Sequence, residues 1–207
     1  MADIATTRLS PFRTLPNLLT LLRICVAPFL VAAILEGEYG LSFGLFVAAG
    51  LTDALDGTLA RVLKQRSQLG QYLDPVADKA LLSTLFLVLM HQGLIPVRVT
   101  VLVFGRDVGI LLVAAILHAA IGRNEFKPSI FGKANTAAQV AAVAAVLLHQ
   151  LTKTQWLGLD PFVEEFRMLA LDATMVLTVV SGLHYAWLVS RRGGASAANG
   201  LGKSNLP

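Results

Sequence analysis

Residues 51–79 read LTDALDGTLARVLKQRSQLGQYLDPVADK and carry four of the eight aspartates of the chain. Asp53 and Asp56 are spaced i, i+3, so they share one face of a helix. Asp74 and Asp78 are spaced i, i+4 and share one face of the following helix. A short basic connection joins the two segments. The stretch therefore predicts two antiparallel helices with their carboxylates at the same end of the pair.

The chain as a whole is too apolar for a soluble domain. Of its 207 residues, 55% are hydrophobic and only 14% are charged, and the mean hydropathy is +0.67. Apolar windows predict six helices, at residues 18–35, 41–60, 80–90, 97–121, 134–151 and 168–189. Residues 74–79 are expected to form the first turns of the third helix. The sequence predicts an all-α integral membrane protein with six transmembrane helices.

Basic residues predict the orientation of these helices. Twelve of the 17 Lys and Arg lie on the side of the two termini, three lie on the opposite side, and Arg23 and Arg106 lie within spans. The positive-inside rule places both termini in the cytoplasm, in a multi-pass protein of the cell membrane. The basic surface is expected to face anionic lipid headgroups, and no motif predicts a nucleic-acid partner. The predicted divisions are a cytoplasmic segment at 1–14, a membrane domain at 15–192 and a disordered tail at 193–207.

Four carboxylates at one membrane face require compensating charge, because an ionised aspartate near the bilayer is costly unless it is paired or binds metal. Oxygen ligands without His or Cys favour Mg²⁺ or Mn²⁺. Two such ions suit in-line displacement at phosphorus. For any single aspartate, a helix cap or a surface position is the alternative. A cation-coupled transporter is a second alternative, although it predicts acidic residues near the bilayer midplane.

The pattern D-x2-D-G-x2-A-R-x8-G-x3-D-x3-D, from Asp53 to Asp78, resembles the signature of the CDP-alcohol phosphatidyltransferases. The six-span layout and the opening LPNLLTLLR at residues 15–23 share this resemblance. It implies transfer of a phosphatidyl group from CDP-diacylglycerol to an alcohol, with release of CMP. It also implies that Asp53, Asp56, Asp74 and Asp78 hold two Mg²⁺ or Mn²⁺ ions and that Asp78 is the catalytic base.

The same resemblance identifies residues for CDP-diacylglycerol along the first three helices. Small side chains on the carboxylate face also allow a bulky ligand to approach the helix backbone. The predicted nucleotide and lipid contacts are Asn17, Thr20, Gly57, Ala60, Arg61, Ser67 and Gly70. Because the family tends to form homodimers, the resemblance implies a possible homodimer.

Arg106, Lys127 and Lys133 are predicted to bind the phosphate of the acceptor. For Arg106 the alternative is a self-neutralising buried pair with Asp107. For the two lysines it is snorkelling to the membrane surface. Asp172, near the start of the sixth span, has no predicted partner.

Two acceptors fit this resemblance. Phosphatidylglycerophosphate synthases, which use glycerol 3-phosphate, typically show Gly-Lys-x-Lys-Thr where this chain has Gly-Lys-Ala-Asn-Thr at residues 132–136. Asn135 thus replaces a lysine, a departure that resembles the CDP-dependent cardiolipin synthases, which use phosphatidylglycerol. A dianionic acceptor should require more cationic donors than a phosphodiester. Glycerol 3-phosphate is the first prediction, and phosphatidylglycerol is the alternative.

Overall fold

A computed structural model describes the backbone of residues 15–63, 68–121, 130–155 and 160–202, and the side chains of residues 22–53, 79–113, 130–153 and 161–187. The described chain is all-helical. Its six helices are α1 (Leu15–Leu35), α2 (Tyr39–Leu63), α3 (Gln68–His91), α4 (Val97–Ile121), α5 (Ile130–Gln155) and α6 (Asp160–Gly202).

The prediction of six helices is confirmed. The fourth helix matches its apolar window, and α3 begins at Gln68, before the polar turns that hydropathy alone would exclude. The structure differs at the C-terminal end. Residues 193–202, predicted as the start of a disordered tail, continue α6, a 43-residue helix. Local composition does not explain this extension, because residues 193–202 include four glycines, which have low helix propensity.

Two of the described helical segments are long and apolar enough to cross a membrane. They are Ile130–Lys153, with a mean hydropathy of 1.4, and Pro161–Trp187, with 1.5. Large apolar side chains are also exposed in quantity, among them Phe29, Leu111 and Leu183, each at least 64% exposed. Exposed apolar surface of this kind marks contact with a membrane or a partner. The six-span arrangement and the side of the termini stay predictions.

The helices divide between two compact units, and the first contains the chain up to Ile95 together with Val143–Val163. Within it, α1 packs against both α2 and α3. Leu30 and Ile34 of α1 and Phe86 of α3 are fully buried. Burial of each such side chain stabilises the fold by about 1.5–3 kcal/mol. The first unit thus brings the two helices of the aspartate motif together with α1.

Two glycines end helices of the first unit. Gly37 and Gly93 have φ angles of 78° and 71°, a left-handed conformation that side chains other than glycine rarely adopt. Each glycine is part of a Schellman motif, which consists of two backbone hydrogen bonds. At Gly37, the N–H of Gly37 donates to the carbonyl of Ile34 at 3.2 Å, and the N–H of Glu38 donates to the carbonyl of Ala33 at 2.9 Å. The Gln92 amide also donates to the carbonyls of Ile34 and Leu35, at 3.1 and 3.0 Å. The C-terminal ends of α1 and α3 are therefore fixed to each other.

The second unit consists of Pro96–Ala142 and Glu164–Pro207, which include α4 and parts of α5 and α6. Val99 and Val103 are each 1% exposed and supply apolar packing on α4. Polar contacts join α5 to α6: the Thr174 hydroxyl lies 3.1 Å from the Ala138 carbonyl and 2.8 Å from the Ala170 carbonyl of its own helix. Such polar links between helices are typical of membrane proteins.

Candidate active site

Asp53, the first aspartate of the motif, forms an ion pair between α2 and α1. Nη2 of Arg23 lies 2.5 Å from Oδ1 of Asp53. The arginine side chain is only 4% exposed, whereas the aspartate side chain is 51% exposed. A guanidinium buried to this degree needs an anionic partner, since an unpaired buried charge is strongly destabilising. The sequence predicted Arg23 only as a charge within a span, and the structure identifies Asp53 as a partner.

The other three aspartates of the motif lie on α2 and α3, and their side chains are outside the described part of the chain. Asp56 is three residues beyond Asp53 on α2, and Asp74 and Asp78 are on α3. Among the side chains that the structure describes, no group of three His, Cys, Asp or Glu could hold a metal ion. Direct contact between α2 and α3 and convergence of the four carboxylates stay predictions. Both helices contact α1 in the first unit, which is consistent with that prediction.

The residues predicted to bind CDP-diacylglycerol lie on the same three helices or just beside them. Their side chains are outside the described residues, and Ser67 is outside the described backbone as well. Asn17 and Thr20 are on α1, Gly57, Ala60 and Arg61 are on α2, and Gly70 is on α3.

A small cavity adjoins the Arg23–Asp53 ion pair in the first unit. Its volume is about 90 Å³, and its walls come from α1 and α2. The lining residues are Leu22, Arg23, Val26, Leu45, Ala48, Ala49 and Thr52. The Thr52 hydroxyl donates to the Ala48 carbonyl at 2.7 Å, so it is already satisfied. Apart from Arg23, the cavity therefore presents mainly apolar surface beside the acidic motif.

Arg106, the predicted acceptor-binding arginine, occupies a buried polar site of the second unit. Its Nη1 donates to Oδ1 of Asp107 at 2.9 Å, and its Nη2 donates to Oγ of Ser181 on α6 at 2.5 Å. The side chains of Arg106 and Asp107 are 11% and 7% exposed. The alternative prediction of a neutralising buried pair is confirmed as a contact. Acceptor binding by Arg106 stays a prediction.

Two glycines bring Arg106 close to the backbones of α5 and α6. A Cβ atom on Gly132 would lie 3.5 Å from Nη2 of Arg106, and one on Gly182 would lie 3.7 Å from its Cγ. The Nε atom of Arg106 is buried and has no hydrogen-bond partner among the described residues. The guanidinium therefore keeps one donor for a ligand or a water molecule.

Asn135 and Gln139 place two further amides in the second unit. They are 0% and 1% exposed, and the Thr178 hydroxyl on α6 donates to Oδ1 of Asn135 at 2.9 Å. In the described part of the chain, Nδ2 of Asn135 and Nε2 of Gln139 have no partner. Buried amide donors are normally satisfied by protein, water or ligand. These two groups are candidates for polar contact with a bound molecule.

The predicted lysines are placed differently. Lys133 is exposed, as is Thr136 on the same face of α5, while Asn135 and Gln139 form the buried face. Lys127 lies outside the described residues. Asp172 is exposed on α6 and forms no ion pair with the described side chains.

The sequence analysis did not identify Ser181 and Thr178 as site residues. The spacing of Thr174, Thr178 and Ser181 at i, i+4 and i+7 nevertheless predicts one polar face on α6.

Comparison with known proteins identifies the class of protein that this site belongs to. The family described as CDP-alcohol phosphatidyltransferase matches residues 13–189, and the chain belongs to that family. Members of this family act on CDP-diacylglycerol with alcohol acceptors and generally use divalent metal ions.

Individual relatives fall into two named groups. The chain is 40% identical to the human cardiolipin synthase (CMP-forming) over 152 residues, which is 65% of this chain and 50% of the human protein. It therefore spans about half the length of that relative. It is 34% identical over 189 residues to the CDP-diacylglycerol–glycerol-3-phosphate 3-phosphatidyltransferase of Bacillus subtilis, which is 83% of this chain and 92% of that protein. A probable phosphatidylglycerophosphate synthase of Mycobacterium tuberculosis is 31% identical over 177 residues, 83% of this chain and 79% of that protein.

Proposed function

We propose that this protein transfers a phosphatidyl group from CDP-diacylglycerol to an alcohol acceptor and releases CMP. The observation that carries the proposal is the unbroken motif from Asp53 to Asp78, which lies on α2 and α3 within the family match. Glycerol 3-phosphate is the first acceptor, in keeping with the Bacillus subtilis relative, whose coverage is nearly complete. The product would be phosphatidylglycerophosphate, a phospholipid precursor.

The donor set fits a hard divalent cation. Asp53, Asp56, Asp74 and Asp78 supply only oxygen ligands, as Mg²⁺ or Mn²⁺ prefers. The carboxylate of Asp53 is half-exposed, with one oxygen on Arg23, and it keeps capacity for a further ligand. Two ions bound there would supply positive charge to the phosphoryl oxygens.

The chain's own residues carry the remaining steps. Asp78 accepts the proton of the acceptor hydroxyl, and the resulting oxygen attacks the phosphorus that bears the diacylglycerol. The new oxygen–phosphorus bond forms as the bond from that phosphorus to the CMP phosphate oxygen breaks, so CMP leaves as an anion. Asn17, Thr20, Gly57, Ala60, Arg61, Ser67 and Gly70 orient CDP-diacylglycerol for this displacement.

Arg106, Lys127 and Lys133 bind the phosphate of the acceptor. The support for Arg106 is its buried position with an unpartnered Nε donor in the described part of the chain. Lys133 is exposed and keeps its charge available for a mobile headgroup.

Phosphatidylglycerol is the second candidate acceptor, and the surroundings of Asn135 favour it. Asn135 is fully buried, bonded to Thr178 and uncharged where a lysine is expected. Asp107 also balances the charge of Arg106. A site with less net positive charge suits the single charge of a phosphodiester better than a dianion. This reaction would make the chain a cardiolipin synthase, as the human relative is named.

The reaction requires a membrane setting. Six spanning helices with both termini in the cytoplasm would place the aspartates at the cytoplasmic face of the cell membrane. The two long apolar segments of α5 and α6 support membrane insertion. A homodimer is part of the proposal through the family resemblance alone.

An acceptor comparison tests the proposal. The purified full chain, reconstituted with Mg²⁺ and CDP-diacylglycerol, should release CMP only when an acceptor is added. Glycerol 3-phosphate and phosphatidylglycerol are offered separately, and the lipid products are identified by mass spectrometry. If neither acceptor leads to CMP release, the proposal is contradicted. Cation flux without CMP release would favour the transporter alternative.

A further inference from the structure

Arg23 is a buried cation that no predicted role explains. It lies on α1, 30 residues before Asp53, and its side chain is 4% exposed and forms part of the wall of the cavity. One of its partners is Asp53, the first carboxylate of the motif. The ion pair is asymmetric, because the half-exposed carboxylate has access to solvent whereas the guanidinium does not. Water alone could hydrate Asp53, so solvation of the carboxylate does not account for the buried arginine.

The geometry of the pair leaves half of the carboxylate available. The contact joins Nη2 of Arg23 to Oδ1 of Asp53, and Oδ2 accepts no hydrogen bond from the described side chains. A carboxylate has about four acceptor positions on its two oxygens. Holding one oxygen on a buried guanidinium fixes the rotamer of the side chain and therefore the direction of the other oxygen. Metal-binding carboxylates are commonly oriented by such hydrogen bonds from outside the metal's own ligand shell.

We infer that Arg23 is a positioning residue for the metal site: it holds Oδ1 of Asp53 so that Oδ2 is directed to a divalent cation. The inference rests on the proposed function, in which Asp53 is a metal ligand. Arg23 also offsets one of the four negative charges of the motif. Lysine would be a poor replacement, because its point charge lacks the planar, directional donors of a guanidinium.

Direct Mn²⁺ binding tests this role without reference to turnover. The full chain in lipid nanodiscs is titrated with Mn²⁺, and free Mn²⁺ is measured by electron paramagnetic resonance. Arg23→Gln should weaken Mn²⁺ affinity by about 10- to 100-fold, the usual effect of losing a group that orients a metal ligand. Unchanged or tighter binding by a folded variant would overturn the inference, since removal of a mere countercharge should strengthen cation binding.

A second substitution separates action through Asp53 from a general effect. In an Asp53→Asn background, Arg23→Gln should cause no further loss of affinity, because the group that Arg23 positions is already absent. An additional loss of similar size would overturn the inference. The matched control is Arg167→Gln, which removes the ion pair of Arg167 with Glu164 on α6 and should leave Mn²⁺ affinity unchanged.

Folding of each variant is judged by size-exclusion chromatography. If Arg23→Gln does not fold, the conservative variant Arg23→Lys is used in its place. Arg23→Lys keeps the charge and should weaken Mn²⁺ binding several-fold, whereas wild-type affinity would overturn the inference. A wild type that binds Mn²⁺ in an Arg23-dependent way but releases no CMP would overturn the proposed function alone. A wild type that releases CMP, with Mn²⁺ affinity independent of Arg23, would overturn this inference alone. A wild type that binds no Mn²⁺ would overturn both.

Discussion

The pair formed by Arg106 and Asp107 allows a structural role to be separated from an acceptor-binding role. Both side chains are buried, with 2.9 Å between Nη1 and Oδ1. Arg106→Gln removes this cation from the buried carboxylate of Asp107, which should lower the free energy of unfolding by about 1–3 kcal/mol. The double substitution Arg106→Gln with Asp107→Asn removes both charges and should recover most of that loss, because neutral amides carry a much smaller desolvation cost.

Acceptor binding should respond differently. A charge-assisted hydrogen bond to phosphate contributes about 1.5–3 kcal/mol. Its loss should lower kcat/KM for the acceptor by about 10- to 150-fold in the single and the double variant alike. The KM for CDP-diacylglycerol should stay unchanged. Unfolding is followed by denaturant titration in detergent, and turnover by CMP release at varied acceptor concentration.

The control is Arg167→Gln, which breaks an ion pair whose acidic partner, Glu164, is 41% exposed. It should cost no more than about 1 kcal/mol and leave acceptor kinetics unchanged. The double variant at 106 and 107 is the decisive sample. If it regains stability and also keeps wild-type kcat/KM for the acceptor, Arg106 is structural only and the proposed acceptor site is wrong.

Three other substitutions give distinct outcomes. Asp78→Asn should lower kcat by about 10²- to 10⁴-fold in a folded protein, measured by CMP release, and appreciable turnover would remove Asp78 as the base. Asn135→Lys adds a cation beside the Arg106 site. It should raise kcat/KM for glycerol 3-phosphate relative to kcat/KM for phosphatidylglycerol by about tenfold. An unchanged ratio would mean that Asn135 does not determine acceptor specificity. Thr178→Val leaves the buried Oδ1 of Asn135 without its donor and should destabilise the protein by about 1–3 kcal/mol in denaturant titration, and wild-type stability would mean that this bond contributes nothing.

Much of the helical layout follows from hydropathy and local chemistry. The fourth window, residues 97–121, coincides with α4, because apolar residues extend to both of its ends. Hydropathy alone does not predict the start of the third helix, since its apolar window starts at residue 80 and α3 starts at Gln68. The i, i+4 spacing of Asp74 and Asp78 predicts that the helix includes these polar residues. The extension of α6 to Gly202 was not predicted, because a stretch rich in glycine, serine and asparagine has low helix propensity and was interpreted as disorder.

The contacts of the candidate site were less accessible to sequence reasoning. The motif predicts which helices carry the aspartates, but Arg23 and Asp53 are 30 residues apart on different helices. Their contact depends on how α1 packs against α2, which periodicity does not specify. The bond between Thr178 and Asn135 spans 43 residues for the same reason. The alternative prediction, an ion pair between Arg106 and Asp107, is confirmed. It could be made from the sequence because Asp107 is the next residue and lies within reach of a flexible arginine side chain.

In the proposed reaction, the acceptor attacks the phosphorus that bears the diacylglycerol. The site of attack can be identified with CDP-diacylglycerol that carries ³²P at that phosphorus alone, incubated with the purified chain, Mg²⁺ and an acceptor. All transferred label should appear in the lipid product, the released CMP should be unlabelled, and Asp78→Asn should abolish the transfer. Label in the released nucleotide would rule out attack at this phosphorus, and the absence of any labelled phospholipid product would rule out phosphatidyl transfer.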